Sequence, residues 1–207
     1  MLTANATGFR EAQAQLERLH DGVTHLAPLY TRLAGTLEAE TEANLDDQGR
    51  PRWQSLAPAT IARRLKSNRG SSVLKMLQDH GILAASVSSS SGEDFVEIGA
   101  GGAASAYAPI QQLGGTINRA PYSTKVRLRT DAKGNLLRQS KSSNLPVFAK
   151  NTHKRARETW HLVPGFSITI PARPYLPFFG SPESPKLQPE AETSVLATIS
   201  RYLDDIA

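Results

Sequence analysis

Hydrophobic residues change their spacing twice along this chain of 207 residues, and the change limits the folds open to it. Leucines recur three and four residues apart in segment 26–45, the period of an amphipathic helix, with Pro28 in the first turn, where proline is tolerated. Apolar and polar residues alternate in segment 94–100, as in a strand, and a helical period returns in segment 189–207. This order predicts an α+β fold in which N-terminal helices and a C-terminal helix pack on a small antiparallel sheet.

Three other segments have the composition of helices. In one of them Pro58 suits the first helical turn. The spacing in that helix predicts that Ile61 and Leu65 face inward and that Arg64 faces outward. Gly81 supplies the left-handed conformation with which a helix ends. The three segments are 8–23, 52–67 and 72–80.

Two extended regions are predicted as strands. Segments 82–90 and 94–100 are separated by a short serine and glycine link, which indicates a β-hairpin. Further along, Phe166, Ile168 and Ile170 share one face of an extended run before prolines interrupt the pattern.

The positive charge of the chain is concentrated in one segment. Segment 119–157 contains eleven lysines and arginines and one acid, Asp131, so its net charge is +10. The net charge of the whole chain is +5, so the rest of the chain carries −5. The segment has few regularly spaced apolar residues, which is typical of an extended arm or a long insertion. A chain of this length builds one good core. We therefore predict a single domain, 1–207, with 119–160 as an extended basic arm or insertion.

Two interpretations of this basic segment stay open. Lysines and arginines gain affinity for a phosphate backbone by releasing counterions, so the segment could contact DNA. It could equally dock on an acidic surface, such as another copy of this chain, whose remainder is acidic. The residues predicted to make either contact are Lys125, Arg127, Arg129, Lys154, Arg155 and Arg157.

The sequence offers no recognisable catalytic constellation. The absence of cysteine excludes disulfides, thiolate nucleophiles and iron–sulfur clusters. His20 and His25 lie five residues apart, whereas a shared metal face on a helix needs three or four. The glycines at 99, 101 and 102 match neither the dinucleotide fingerprint nor the P-loop. We therefore predict a protein that is not an enzyme, with no catalytic residue, no metal and no cofactor.

The sequence contains no long apolar segment of the kind found in signal peptides or membrane spans. Its first twenty residues contain acids, arginines and glutamines where a signal peptide would have an apolar stretch. No stretch approaches the roughly 20 apolar residues of a membrane span. We expect synthesis in the cytoplasm and no membrane partner.

Five short segments carry a resemblance to a known protein family. The order of these segments and their amino-acid sequences resemble those of the phage virion morphogenesis, or tail completion, proteins of Mu-like and related tailed phages. The segments are RWQSLAPATIARRLK (52–66), MLQDHGILAASV (76–87), FVEIGA (95–100), YAPIQQLGG (107–115) and IPARPYLPFFG (170–180). Two positions depart from the family pattern: Gln111 stands where the family usually has histidine, and Leu113 where it usually has an aromatic residue. A role that depends on an imidazole is therefore disfavoured.

The resemblance implies a structural virion protein of the head–tail junction. Such a protein would assemble as a ring, a hexamer, and would contact other neck and tail proteins and, transiently, the DNA that passes through the channel. Whether it is the tail terminator, a completion factor or a transient assembly factor stays open.

The segment 106–113 is predicted to form one short helix that positions its neighbours. Its glutamines would offer hydrogen bonds, and Gly114 would end it. Arg173, held between prolines, could pair with a carboxylate of its own chain or of a neighbouring subunit. Whether this region serves its own domain or a subunit interface stays open. The candidate interface residues are Tyr107, Gln111, Gln112, Arg173 and Tyr175.

Overall fold

The computed structural model describes residues 8–67 and 74–206, which form two compact units. The main unit comprises the described residues up to Gly115 together with those from Ile170 onward. The inserted unit is Thr116–Thr169 and contains the whole basic segment.

Helices and short paired strands alternate along the described chain, so the predicted α+β class is confirmed. The helices are α1 Phe9–Thr24, α2 Ala27–Asp46, α3 Pro58–Ser67, α4 Ile82–Ala85, α5 Ala108–Leu113 and α6 Pro189–Ile206. The strands are β1 Val87–Ser91, β2 Val96–Ala100, β3 Gly115–Arg119, β4 Tyr122–Arg129, β5 Arg138–Gln139, β6 Ser142–Pro146, β7 Ala156–Val163, β8 Phe166–Ile170, β9 Phe178–Ser181 and β10 Ser184–Leu187. The pairs are β1–β2, β3–β8, β4–β7, β5–β6 and β9–β10.

The long helices α2 and α6 pack on each other and form one of the two apolar clusters of the main unit. The leucine stripe predicted from the sequence supplies Leu29 and Leu33, which are buried against Tyr202 of α6. The hydroxyl groups of Thr36 and Thr198 lie 2.9 Å apart across the same helix pair. The helical period therefore gave the correct inner face of α2, which buries a continuous apolar stripe. In α6, the predicted face of Val195, Ile199 and Leu203 is correct only in part, because Val195 and Ile199 pack against the cluster whereas Leu203 is 43% exposed.

The predicted orientation of α3 is wrong. Arg64 is buried, whereas Leu65 is 56% exposed. The Arg64 guanidinium donates to the carbonyl oxygen of Lys75 at 2.8 Å, and its Nε lies 3.8 Å from Asp79 Oδ2. Because this arginine finds polar partners inside the unit, its burial is compensated, and the leucine is left facing solvent.

The prediction of a helix over 72–80 is also wrong for the residues that the structure describes, 74–80, which form turns; residues 72 and 73 lie outside the described part. Gly81 does adopt a left-handed conformation, with φ +72°, but it precedes the short helix α4. Residues 82–85, predicted as the start of a strand, are helical, and the hairpin begins at Val87.

The inserted unit is built around one antiparallel ladder. Strand β4 pairs with β7 over their full length, from Tyr122 opposite Val163 to Arg129 opposite Ala156. Leu128 is the one buried apolar residue of this unit, all of which the structure describes. The sequence predicted an insertion at this place but not its strand pairing.

Candidate interface site

The segments that carry the family resemblance converge on one apolar cluster of the main unit. Trp53, Leu83, Ala108 and Tyr175, from four of the five segments, are all buried in it, and Ala100 of the fifth packs against it. Residues far apart in the chain thus meet in a single core, so the segments encode a common structural framework.

Helix α5 is fixed at both ends by backbone chemistry. Pro109 lies in its first turn, where no hydrogen-bonding N–H is needed. Gly114 ends it, as predicted, with φ +72° and ψ −178°, and its N–H donates to Ile110 O at 3.0 Å. A Cβ atom at this position would lie 2.7 Å from the backbone nitrogen of Ala172. The end of α5 therefore lies directly against the proline-rich segment 171–177.

Gln112 holds that proline-rich segment and the residue after it through three hydrogen bonds. Its Oε1 accepts the N–H groups of Tyr175 at 2.9 Å and Leu176 at 3.0 Å, and its Nε2 donates to Phe178 O at 2.9 Å. The preceding residue contributes only its backbone, since Gln111 O accepts the N–H of Arg173 at 2.8 Å. One amide side chain thus satisfies two N–H groups of the proline-rich segment and the carbonyl of Phe178, the first residue of β9.

Asn44 anchors the same segment from the opposite side. It is 0% exposed, and its Nδ2 donates to Tyr175 O at 3.2 Å and to Gln188 Oε1 at 2.7 Å. Its Oδ1 accepts a hydrogen bond from Arg50 Nε at 2.8 Å. Sequence reasoning missed this residue because it is polar. The available signal was its place on the α2 face that also buries Leu33 and Leu37.

A half-buried carboxylate completes this polar network. Glu40 Oε2 lies 2.6 Å from Arg50 NH2, and the Ser194 hydroxyl donates to Glu40 Oε1 at 2.6 Å. Burial by itself raises the pKa of Glu40. The hydrogen bonds from Ser194 and Arg50, together with the charge of Arg50, outweigh burial and hold that pKa below its ordinary value.

Replacing Glu40 by glutamine should lower the free energy of unfolding by about 1–2 kcal/mol at pH 7, because it weakens hydrogen bonds to a charged group. The folded-state pKa is depressed, so the stabilisation exists above the ordinary value of 4.5 and is lost as the pH falls through the folded pKa. Urea unfolding of both proteins between pH 3 and pH 7 should show the difference shrinking below about pH 4.5.

Glu42, an exposed residue on the same helix, provides the control. Replacing Glu42 by glutamine should change stability by less than about 0.5 kcal/mol at any of these pH values. A Glu40→Gln effect that stays constant down to pH 3 would contradict the role assigned to the charge.

Tyr175 and Arg173 are buried within their own chain. Tyr175 is 2% exposed, and burial, with a smaller contribution from Tyr107, raises its pKa to about 12. Arg173 is 8% exposed, and burial, followed by the charge of Arg64, lowers its pKa. The Arg173 guanidinium donates to Gln54 O at 3.2 Å, and no carboxylate of the described residues lies within 4 Å of it.

The candidate interface residues therefore separate into two groups. Gln112, Arg173 and Tyr175 are occupied by contacts inside the main unit. Tyr107 is exposed and Gln111 half-buried. An interface role stays a prediction for all five residues.

An apolar cleft of about 360 Å³ opens beside α5. We call it the α5 cleft and define it by Pro109 and Leu113 of α5 and by Phe178, Phe179 and Pro185 of the β9–β10 hairpin. Leu113 and Phe179 are themselves exposed, so the cleft offers apolar surface to a partner.

The inserted unit neutralises only part of its charge. Lys125 and Arg127 both pair with Glu158 on the opposite strand, the latter at 3.1 Å. Arg127 also donates to Asn151 Oδ1 at 3.1 Å, which folds the loop before β7 back onto the ladder. The hydrogen bond from Lys125 is the main reason that the pKa of Glu158 is lowered. Four other candidate contact residues make no ion pair with any residue that the structure describes: Arg129, Lys154, Arg155 and Arg157.

The β7 strand also carries exposed apolar side chains. Trp160 is 71% exposed and Leu162 is 72% exposed. They lie two residues apart and therefore on the same face of the strand. We call these two residues the Trp160 edge.

The described residues show no sign of a metal site or a membrane span. No group of three or more histidine, aspartate or glutamate side chains among residues 8–67 and 74–206 could hold an ion. No helix in those ranges is long and apolar enough to cross a membrane.

The polar side chains of the site hold an α+β framework, and apolar side chains are exposed on both units. The chain matches the model of the phage virion morphogenesis family over residues 8–204 and belongs to that family, which confirms the resemblance. It is 29% identical to the Mu-like prophage FluMu G protein 2 of Haemophilus influenzae over 119 residues, 58% of this chain and 75% of that protein. No solved structure matches it.

Proposed function

We propose that the protein is a structural part of the phage head–tail junction, a tail completion or tail terminator protein. It assembles as a ring of six copies that closes the tail and allows the head to join. The observation that carries the proposal is the family match over residues 8–204, which spans both units. The role is structural and not catalytic, its location is the virion, and its partners are copies of itself and other neck and tail proteins.

The distribution of charge supports assembly from identical copies. The inserted unit holds eleven basic residues against two acidic ones, a charge of +9, which leaves −4 for the rest of the chain. Opposite charges on two parts of one chain favour a head-to-tail contact, in which unlike surfaces meet, and such contacts close into rings.

Native mass spectrometry of the purified protein should show a closed oligomer of ring size. Electron microscopy of particles made without the gene should show tails and filled heads that are not joined, and restoring the gene should restore joining. A protein that stays monomeric at all concentrations and is missing from assembled particles would contradict the proposal.

A second candidate function is that of a basic DNA-binding or nuclease-accessory protein, and the +9 charge of the inserted unit favours it. Affinity for duplex DNA would then fall steeply with salt, by a slope of about −0.9 per neutralised phosphate. Deleting residues 119–157 separates the two functions. The DNA-binding function predicts lost DNA affinity with assembly intact, whereas the junction function predicts lost assembly.

A further inference from the structure

In the inserted unit, more large apolar side chains are exposed to solvent than are buried in its core. Leu128 is its one buried apolar residue, whereas Phe148 and both residues of the Trp160 edge are more than 65% exposed. Exposed aromatic side chains on a small unit with few buried apolar residues indicate a surface that a partner covers.

The strand register shows what surrounds these side chains. Lys125 lies directly opposite Trp160, and Arg127 lies opposite Glu158. Directly opposite residues share a face of the ladder, so this face has an apolar centre with cations beside it. Tryptophan and arginine are the residues most often found at the energetic centre of protein interfaces. An exposed leucine offers nothing to a phosphate backbone, so the face favours a protein partner over DNA.

The main unit carries a surface of the complementary kind. The α5 cleft is lined by apolar residues, and Glu183 lies exposed in the hairpin turn at its margin, between β9 and β10. Its carboxylate is the acid nearest in sequence to the lining residues Pro182 and Pro185. The hairpin also carries Lys186, which lies opposite the lining residue Phe179, so the margin of the cleft has no net charge. The two surfaces are instead complementary in overall charge, because the edge lies on the unit that carries +9 and the cleft on the remainder, which carries −4.

We propose that the Trp160 edge of one copy is seated in the α5 cleft of a neighbouring copy. The inference rests on the proposed ring and adds the contact that forms it. The edge and the cleft are different surfaces of one chain. Each copy therefore inserts its edge into the cleft of one neighbour, and its own cleft holds the edge of another neighbour. A closed ring requires such a head-to-tail arrangement.

Single-cysteine variants test the contact directly, since the chain has no cysteine of its own. Leu162→Cys and Leu113→Cys replace exposed residues of the edge and the cleft. Mixed under mild oxidation, they should give disulfide-linked dimers, because the two side chains would come within bonding reach. The double variant should give a ladder of covalent oligomers up to the ring. Leu145→Cys, an exposed leucine elsewhere in the inserted unit, should not cross-link to Leu113→Cys.

A second measurement uses affinity. Trp160→Ala should raise the dissociation constant of assembly by about thirty-fold or more, the effect expected for a tryptophan at the centre of an interface. Leu145→Ala should leave it unchanged, and matching circular dichroism spectra should show that both variants are folded.

The outcomes separate this inference from the proposed function. Rings that form without the Leu162–Leu113 cross-link, or that tolerate Trp160→Ala, would overturn the contact and leave the ring function standing. Loss of duplex-DNA binding in Trp160→Ala, with assembly unchanged, would overturn it in favour of a nucleic-acid surface. A chain that never oligomerises would overturn both.

Discussion

Replacing Gly114 by alanine should lower the free energy of unfolding by at least about 3 kcal/mol, because two separate costs add at this position. The backbone there has φ +72° and ψ −178°, a region that only glycine occupies readily. The new Cβ would also lie 2.7 Å from Ala172 N and 3.0 Å from Ile170 O, and these are backbone atoms that cannot rotate away. Urea unfolding monitored by tryptophan fluorescence measures the loss.

Gly81 is the matched control because it has the same φ of +72°. Its ψ of −3° places it in the left-handed helical region, which other residues do enter, and a Cβ there meets nothing within 4 Å. Gly81→Ala should therefore cost only about 1 kcal/mol. Equal losses at the two positions would mean that the contact between the end of α5 and Ala172 is not as tight as the structure shows.

The sequence predicted the long helices well because their apolar stripes are unambiguous. In α2 the spacing of Leu29, Leu33 and Leu37 was enough to define the inner face. The same face continues through Thr41 and Asn44, which hydropathy alone reads as outward positions. Thr41 donates its hydroxyl to Leu37 O of its own helix at 2.8 Å. The burial of Asn44 depends on acceptors from distant segments, which one sequence does not reveal.

The α3 error has a similar origin. A helix of ten residues offers too few positions for its period to decide between Arg64 and Leu65. Arg64 faces inward because its guanidinium contacts the carbonyl oxygen of Lys75 and the carboxylate of Asp79. Both groups lie in a segment that was wrongly predicted as a helix.

One strand of the inserted unit, β4, could be predicted from the sequence. In β4, Val126 and Leu128 alternate with Lys125, Arg127 and Arg129, which is the period of a strand. The high density of positive charge in the same segment instead favours an extended binding arm. The partner strand β7 has no comparable alternation, so the pairing itself needed the structure.

The paired glutamines of α5 show what one sequence leaves undecided. Gln111 and Gln112 have identical side chains and both were candidates for an interface. In the structure Gln112 makes two side-chain hydrogen bonds to the proline-rich segment and a third to Phe178, whereas Gln111 contributes only its backbone carbonyl. Prolines at 174 and 177 leave that segment without a regular ladder, so side chains such as Gln112 and Asn44 align it.

Replacing Gln112 by methionine, which has similar length and no amide, should lower the free energy of unfolding by about 3 kcal/mol or more. The N–H groups of Tyr175 and Leu176 and the carbonyl of Phe178 would lose their partner, and each polar group left unsatisfied costs about 1–3 kcal/mol. Gln111→Met keeps the backbone contact and should cost less than about 0.5 kcal/mol. Chemical unfolding of both variants decides, and a Gln111→Met loss as large as that of Gln112→Met would show that the segment is not held through the Gln112 amide.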